Sequence, residues 1–278
     1  MTDQLQERHF TKLARIVEEH TGIRLPPAKR TMVEGRLRKR IRALGLTRVE
    51  DYGRAIFEGG KLDDEFVHLI DCVTTNKTDF FREPDHFDFL RERAMPLLAS
   101  LRSGAHSPFK FWSAAASIGA EAYTIAMVAA EALGLDGRRF SVLGTDISTE
   151  VIAQAQRAVY PAPMIDLVPP RLRERYVMRA IDAERQEVRI VPELRRTVRF
   201  HCLNLMDLTY GVDRDFDAIF CRNILIYFAK PTQSAVLKRL CNHLRKGGFL
   251  FLGHSESLAG AELGAMRQMA PTIFRRAA

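Results

Sequence analysis

The chain has 278 residues, of which 46% are hydrophobic and 27% charged, and its formal net charge is +8. This composition is typical of a soluble globular protein with room for one large domain and one small domain. No stretch approaches the roughly 20 apolar residues of a transmembrane helix, and the polar start of the chain is unlike a signal peptide. The four cysteines lie far apart and predict neither a zinc site nor a redox dithiol. We therefore expect a cytoplasmic monomer that holds no metal and does not insert into membranes.

Residues 1–70 are predicted to form a small, basic, all-helical domain. Apolar residues recur at helical spacing in residues 10–17 and again in residues 33–44. Gly22 and Gly45 are the expected ends of these two helices, because glycine commonly ends a helix. Two more short helices are expected at residues 51–57 and 63–70.

A basic block lies in the second of these helices and in its flanks. Between Gly22 and Arg48, nine basic residues stand against one acid, Glu34, so this segment alone carries +8, as much as the whole chain. Such a surface attracts an acidic partner, which could be nucleic acid, an anionic membrane or an acidic protein helix. The basic residues are Arg24, Lys29, Arg30, Arg36, Arg38, Lys39, Arg40, Arg42 and Arg48.

Residues 71–278 are predicted to form a larger α/β domain. From about residue 108, short apolar strands alternate with helices, which indicates a mainly parallel sheet covered on both faces. Five prolines and the strand-like stretch 187–191 interrupt this alternation, so an inserted β subdomain is expected at about residues 161–199. We expect strands at residues 109–112, 140–144, 216–220 and 249–252, and helices at residues 120–133, 149–159 and 232–244.

Three strand ends carry residues that suit a ligand site, because ligands of open parallel sheets bind beyond the carboxyl ends of the strands. Residues 113–121 are small and open a helix, which suits either a close ligand or a tight turn. Asp146 follows the second strand and could accept hydrogen bonds from a ribose diol or cap the next helix. Arg222 and Asn223 follow the third, and such a pair could be structural or catalytic.

Two missing motifs narrow the choice of ligand. The first loop lacks the Gly-x-Gly-x-x-Gly spacing, which weakens the dinucleotide interpretation without excluding NAD or S-adenosylmethionine. No Asp/Asn-Pro-Pro-Tyr/Phe element follows a strand, although a nucleic-acid amino-methyltransferase would need one to grip a flipped base.

Five motifs, in order and at the matching spacing, carry a resemblance to a known family. They are Thr74-Thr75-Asn76-Lys77-Thr78-Asp79-Phe80-Phe81-Arg82-Glu83, Trp112-Ser-Ala-Ala-Ala-Ser117, Thr145-Asp146-Ile147, Cys221-Arg-Asn-Ile-Leu-Ile-Tyr-Phe228 and Gly253-His-Ser-Glu-Ser257. With these motifs, the basic helical domain and the inserted subdomain, the chain resembles the CheR family of chemotaxis receptor methyltransferases. The resemblance implies a Rossmann-like domain that transfers methyl from S-adenosyl-L-methionine to glutamates of receptor coiled coils.

The resemblance also implies the residues of the site. Arg82 and Tyr227 would be catalytic, facing the methyl group and the incoming carboxylate. Asp146 would bind the ribose, and Asn204-Leu205 would lie at the adenine. The residues implied to bind the cofactor are Asn76, Thr78, Arg82, Glu121, Asp146, Asn204, Leu205, Arg222 and Asn223.

Two motifs need separate comment, one for its departure from the family pattern and one for the roles of its residues. The family's Gly-Glu-Glu-Pro-Tyr is replaced by residues 119–123, Gly-Ala-Glu-Ala-Tyr, which keep the matching Glu121 but lose an acid and a helix-starting proline. His254 and Glu256 suggest a general base. A structural or pocket-wall role suits them better, because a glutamate substrate with a pKa of ~4.3 is already ionised.

The implied partner is the cytoplasmic coiled coil of a receptor, recognised by the basic helix. A C-terminal tether peptide of the receptor could bind the inserted subdomain, although residues 179–188 contain no glycine and tether-binding members have a Gly-rich loop there. One alternative is a nucleic-acid methyltransferase, which the shortage of aromatics among the basic residues disfavours. The other is a non-catalytic scaffold that binds S-adenosylmethionine.

Overall fold

The computed structural model describes residues 3–101, 107–135, 139–182, 184–256 and 266–277. The first part of the described chain contains four α-helices: α1 (Glu7–Thr21), α2 (Arg30–Ala43), α3 (Val49–Phe57) and α4 (Leu62–Val73). α1 ends at Gly22, whose φ of 73° is the left-handed conformation that glycine adopts without strain. α2 ends two residues before Gly45, which has a φ of 71°. The two glycines therefore end the helices as predicted.

The rest of the described chain adds strands and seven further α-helices. The helices are α5 (Pro84–Phe89), α6 (Met95–Ser100), α7 (Ala120–Leu133), α8 (Thr149–Arg157), α9 (Pro170–Tyr176), α10 (Pro192–Arg195) and α11 (Lys230–His243). The strands are β1 (Phe109–Ala114), β2 (Phe140–Asp146), β3 (Val159–Pro161), β4 (Val177–Arg179), β5 (Glu187–Ile190), β6 (Val198–Cys202), β7 (Phe216–Cys221), β8 (Leu244–Leu252), β9 (Met266–Ala270) and β10 (Ile273–Arg276).

Seven of these strands form the main sheet, in the order β6-β2-β1-β7-β8-β10-β9. The first five are parallel, and β10 and β9 add to β8 as antiparallel strands. The parallel strands all end at the same edge of the sheet, which brings the three suspected strand ends together. A separate antiparallel sheet, in the order β3-β5-β4, lies between β2 and β6 in the chain.

The central strands are apolar on both faces because helices cover both faces. In β1, Phe111 belongs to one core and Trp112 to the other, as expected for successive residues of a strand. On the α7 side, the Phe220 and Phe251 rings stack with centroids 4.2 Å apart. On the other side, Trp112 and Ile219 share a core with α11 and with α1–α4. The first four helices are therefore packed onto the sheet and help to form its core.

The predicted fold class is confirmed, with differences in detail. α7 has the predicted bounds, whereas α8 ends at Arg157 because the chain continues into β3. β8 begins at Leu244, the predicted last residue of the preceding helix, and so starts five residues before the predicted strand 249–252. The β subdomain starts at Val159, and β6 belongs to the main sheet although the predicted subdomain reached residue 199.

None of the described helices combines the length and the apolar character needed to span a membrane.

Candidate active site

A pocket opens at the carboxyl ends of β1, β2 and β7, between the sheet and the first four helices. Every residue that the sequence assigned to catalysis or cofactor binding lines this pocket. These residues are Asn76, Thr78, Arg82, Glu121, Asp146, Asn204, Leu205, Arg222, Asn223 and Tyr227.

Asp146 is buried at the end of β2 with its carboxylate in the pocket wall. Its oxygens accept hydrogen bonds from the backbone N–H groups of Ser117, at 2.8 Å, and Ser148, at 3.0 Å. Burial raises the pKa of Asp146, while these N–H groups and that of Ile147 act in the opposite direction. Helix α8 is capped by the Ser148 side chain, so Asp146 is not needed as the cap. A carboxylate accepts about four hydrogen bonds, which leaves capacity here for ligand hydroxyls.

Arg222 lies at the centre of a buried ion-pair network. Its Nη1 is 3.0 Å from Glu121 Oε2, and its Nη2 is 2.9 Å from Glu83 Oε2. Nη2 also donates to the backbone carbonyl of Arg82, and the guanidinium lies over the Phe87 ring, 5.2 Å from its centroid. Arg222 thus has a structural role, while its side chain also lines the pocket.

The two carboxylates that share Arg222 differ in their protonation behaviour. Burial acts to raise the pKa of Glu83, but the Arg222 charge and hydrogen bonds from Arg222 and Asn223 outweigh it and hold that pKa at about 2. Burial raises the pKa of Glu121, which Arg222 and a 2.7 Å hydrogen bond from Ser113 only partly oppose. A cationic ligand group beside Glu121 would therefore favour its ionised form.

Residues 74–83, which we call the closing segment, border the pocket and are hydrogen-bonded to the α/β domain. Ser117 Oγ donates to the Asn76 carbonyl at 2.8 Å, and the Phe81 N–H donates to Thr124 Oγ1 at 3.2 Å. Phe80 is fully buried. These contacts hold the segment against the start of α7.

The end of the closing segment has an unusual backbone. Phe81 and Glu83 have φ values of 53° and 56°, in the left-handed region that side chains other than glycine rarely adopt. Each such residue costs about 1–3 kcal/mol, and this strain is typical of functional sites. The contacts to Thr124 and Arg222 hold the two residues in this conformation. Glu83 therefore supports the site, although the sequence analysis did not assign it a role.

Arg82 and Tyr227, the predicted catalytic pair, both line the pocket and are partly exposed. Arg82 Nη1 donates to the Lys77 carbonyl at 3.2 Å, and no carboxylate pairs with Arg82 among the described residues. Lys29 Nζ lies 5.0 Å from the centroid of the Tyr227 ring. The Tyr227 hydroxyl has no hydrogen-bond partner in the described part of the chain. Both polar ends are therefore available to a substrate.

Asn204 lines the pocket, but its side chain is already engaged. Its Nδ2 donates to the His20 carbonyl at 2.7 Å, and its Oδ1 accepts from the Met206 N–H at 2.9 Å. Leu205 is buried beside it, and no described residue accepts a hydrogen bond from its N–H. Asn204 thus fixes the turn and ties it to α1, while Leu205 is free to contact a ligand ring.

The fifth motif, residues 253–257, contains a residue that supports the pocket wall. Glu256 is buried and accepts hydrogen bonds from the backbone N–H groups of Asn223, Leu225, Ile226 and Gly253, at 2.7–3.3 Å. His254 is half-exposed and lies 3.2 Å from Asp85. Neither side chain lines the described pocket, so neither is placed as a general base. Ser257 lies outside the described residues.

The altered loop at residues 119–123 leaves the pocket lining intact. Ala120 and Ala122 are fully buried, and neither lines the pocket, whereas Glu121 does. Gly119 has a φ of 87°, and a Cβ there would come within 2.9 Å of Ala155 and Phe200. The loop therefore keeps its essential glycine and its pocket-facing acid.

Lys29 and Met32 also line the pocket, although sequence reasoning assigned the basic helix to a partner alone. Lys29 lies just before α2 and Met32 in its first turn, and both reach the site because α1–α4 pack against the sheet. No local sequence signal reveals this, since it depends on how distant parts of the chain pack together.

The strand order, the acid after β2 and the small-residue turn into α7 define the fold of S-adenosylmethionine-dependent methyltransferases. Residues 76–273 match the family model described as "CheR methyltransferase, SAM binding domain". Residues 8–74 match the model described as "CheR methyltransferase, all-alpha domain". The chain belongs to the CheR methyltransferase family, as its motifs predicted.

Similar proteins share both parts of the chain. The chemotaxis protein methyltransferase of Salmonella typhimurium is 39% identical over 257 residues, covering 92% of this chain and 85% of that protein. The chemotaxis protein methyltransferase of Escherichia coli is 39% identical over 266 residues, covering 94% and 89%. Chemotaxis protein methyltransferase 2 of Pseudomonas aeruginosa is 35% identical over 274 residues, covering 97% and 95%.

Proposed function

We propose that this chain is a cytoplasmic, monomeric protein-glutamate O-methyltransferase that modifies chemotaxis receptors and so serves sensory adaptation. The observation that carries this proposal is the convergence of all ten assigned residues on one pocket at the carboxyl ends of the parallel strands. The relatives, named as chemotaxis protein methyltransferases, indicate the substrate class.

The pocket suits S-adenosyl-L-methionine as the methyl donor. Asp146 would accept hydrogen bonds from the ribose hydroxyls, and Leu205 would contact the adenine through its side chain and N–H. Glu121, in the first turn of α7, offers a buried carboxylate to the cationic amino group. Asn76, Thr78 and the Arg222-Asn223 pair would complete the enclosure.

The reaction needs orientation more than it needs a base. A glutamate side chain has a pKa of ~4.3 and is therefore an ionised nucleophile at neutral pH. One carboxylate oxygen attacks the methyl carbon in line with the carbon–sulfur bond, and that bond's electron pair returns to sulfur. The products are a glutamyl methyl ester and S-adenosyl-L-homocysteine. Alignment of this kind can contribute roughly 7–11 kcal/mol.

Arg82 and Tyr227 would share the task of alignment. Arg82 has no carboxylate partner among the described residues, so it can attract the substrate carboxylate. A tight ion pair would lower the nucleophilicity of that carboxylate. A hydrogen bond from the Tyr227 hydroxyl is weaker and more directional, so we assign the final orientation to Tyr227.

The basic block would recognise the acidic receptor surface. Part of its charge is used within the chain: Arg40 pairs with Glu65 at 2.7 Å, and Lys39 pairs with Glu150 at 2.9 Å. Arg42 and Arg48 are exposed and have no ion pair among the described residues, so both are available as outward-facing cations. Charges at the rim of an interface raise the rate of encounter more than the affinity. A further predicted contact is between a receptor's C-terminal tether peptide and the small sheet. Titration of the chain with such peptides tests it.

A transfer assay with radiolabelled methyl donor tests the proposal. We expect base-labile label on the receptor, as a methyl ester requires. Base-stable label on nucleic acid would support the nucleic-acid alternative, and binding of the donor without any transfer would support a non-catalytic scaffold. Either result would contradict the proposed function.

A further inference from the structure

A second cavity, which we call the flank groove, lies beside the active-site pocket. It is bounded by α5, the second half of α7 and the start of α9. Asp79 and Arg82, both in the closing segment, line both cavities. The groove and the pocket therefore meet at this segment. With their open mouths included, the groove encloses about 1660 Å³ and the pocket about 1050 Å³. The groove is therefore large enough for several side chains.

The floor of the groove is apolar. Phe87, Val128 and Leu172 form buried parts of it, and Leu167 lines it while 62% exposed. Burying apolar surface is the main favourable term in most protein association. This surface therefore suits a partner segment that carries apolar side chains.

Most of the charged side chains around the groove have ion-pair partners within the described chain. Asp88 pairs with Arg91 at 2.9 Å, and Glu131 pairs with Arg175 at 2.7 Å. Glu83 is held by Arg222 at 2.9 Å. Arg82 has no such partner among the described residues, and it stands where the groove meets the pocket. A carboxylate carried by a segment in the groove therefore meets an available guanidinium at the entrance to the active site.

We propose that the flank groove binds the receptor segment that carries the acceptor glutamate. The inference rests on the proposed function and deepens it, because it assigns a surface that determines which glutamate is presented. On a helix, side chains three and four residues apart lie on one face, about 5–6 Å apart at Cβ. A receptor helix can therefore bury apolar side chains on Phe87, Val128 and Leu172 while a glutamate on the same face passes Arg82. The basic block attracts the receptor at long range, and the groove sets the register of the bound receptor helix.

Variants that change the groove surface without touching the pocket test this proposal. Leu167→Asp introduces a charge into the groove, and Ala132→Trp fills it from an exposed position on α7. Leu208→Asp, at a leucine 86% exposed outside the groove, and Ala153→Trp, on exposed α8 surface, are matched controls. The assay uses the full chain and a chemotaxis receptor in membrane vesicles.

For both groove variants we expect the KM for receptor to rise at least about tenfold, the usual effect of losing one apolar contact. The S-adenosylmethionine affinity should stay at the wild-type value, and the controls should behave as wild type. A photoreactive residue at position 167 should crosslink to the receptor helix, and one at position 208 should not.

The possible outcomes distinguish failure of the groove assignment from failure of the proposed function. Groove variants with a wild-type KM would overturn the groove assignment alone, since receptor methylation itself would stand. A parallel loss of donor affinity would also overturn it, because the groove would then belong to the cofactor site. A wild-type chain that transfers no methyl to the receptor would overturn both.

Discussion

The guanidinium Nη2 of Arg222 lies 2.9 Å from Glu83 Oε2, and this contact ties the end of the closing segment to the end of β7. Asn223 Nδ2 donates to the other oxygen of the same carboxylate at 3.1 Å. Glu83 therefore fixes both members of the Arg-Asn pair and holds the closing segment in place. Its side chain does not line the pocket that Arg222 and Asn223 line, so its effect on the cofactor is one of positioning.

Replacing Glu83 should weaken cofactor binding. In Glu83→Gln, the hydrogen bonds to a charged carboxylate become bonds to a neutral amide, a loss of roughly 1.5–3 kcal/mol. We expect S-adenosylmethionine affinity, measured by calorimetry, to fall by about tenfold or more. Asp88→Asn is the matched control, because Asp88 is an exposed acid of α5 that pairs with Arg91 at the surface. Equal affinities of the two variants would contradict the positioning role.

His86 should make stability depend on pH. The ring is buried, with Nε2 2.9 Å from Thr272 Oγ1, and burial, with Arg222 as a further cause, lowers its pKa to about 4. In the unfolded chain the pKa is ~6.5, so between these values the unfolded state binds more protons. Stability should therefore be complete above about pH 6.5 and decline as the pH falls towards about 4.

Urea unfolding at several pH values checks this expectation. His86→Gln should show a flatter pH dependence than the wild-type chain across that window. His68→Gln, at an exposed histidine on α4, is the control and should keep the wild-type dependence. An unchanged pH dependence in His86→Gln would assign the acid sensitivity to other groups.

Arg36 and Arg42, both on the basic helix, should have different effects. Arg36 Nη1 donates to the carbonyls of Val73 and Thr74, at 2.8 and 3.0 Å, and so holds the start of the closing segment. Arg36→Ala should therefore reduce S-adenosylmethionine affinity. Arg42→Glu should slow receptor methylation, most strongly at low salt, and leave that affinity unchanged, since Arg42 is exposed. Equal effects of the two variants on cofactor binding would contradict this division.

Tyr227→Phe tests orientation by the hydroxyl. The ring should stay packed while the hydrogen bond to the reacting groups is lost, so kcat should fall with little change in cofactor affinity. A fall of about tenfold corresponds to roughly 1.4 kcal/mol, within reach of one oriented hydrogen bond. Wild-type turnover in this variant would make Tyr227 a packing residue of the pocket wall.

Much of the fold and the pocket lining could be predicted because local patterns determine them. The Ala-rich helix α7, the glycines after α1 and α2, and the acid after β2 are each visible in a short window of sequence. β6 was not predicted, because Arg199 and His201 are exposed on a short edge strand and dilute its apolar pattern. β9 was missed for a similar reason, since it is a short edge strand of mixed residues, and β10 was missed because it has only four residues, two of them arginines.

Side-chain roles that depend on long-range packing could not be predicted. Asn204 was predicted to lie at the adenine, and the sequence did not reveal that its amide also bonds to α1, 184 residues earlier in the chain. Arg36 was expected to face a partner, but it binds the end of α4. Glu83 stood within a motif, and only the fold places it against Arg222. In each case the partner comes from a distant part of the chain, so no local pattern contains the information.

Mass spectrometry of receptor peptides, after incubation of receptor with the chain and S-adenosylmethionine, tests the central claim most directly. We expect methyl esters on glutamate side chains, removed by mild alkali. The esters should be missing when those glutamates are replaced by alanine, and strongly reduced when the enzyme carries Asp146→Ala. Methyl groups on lysine, arginine or nucleic acid, or a receptor left unmodified by the active wild-type chain, would contradict it.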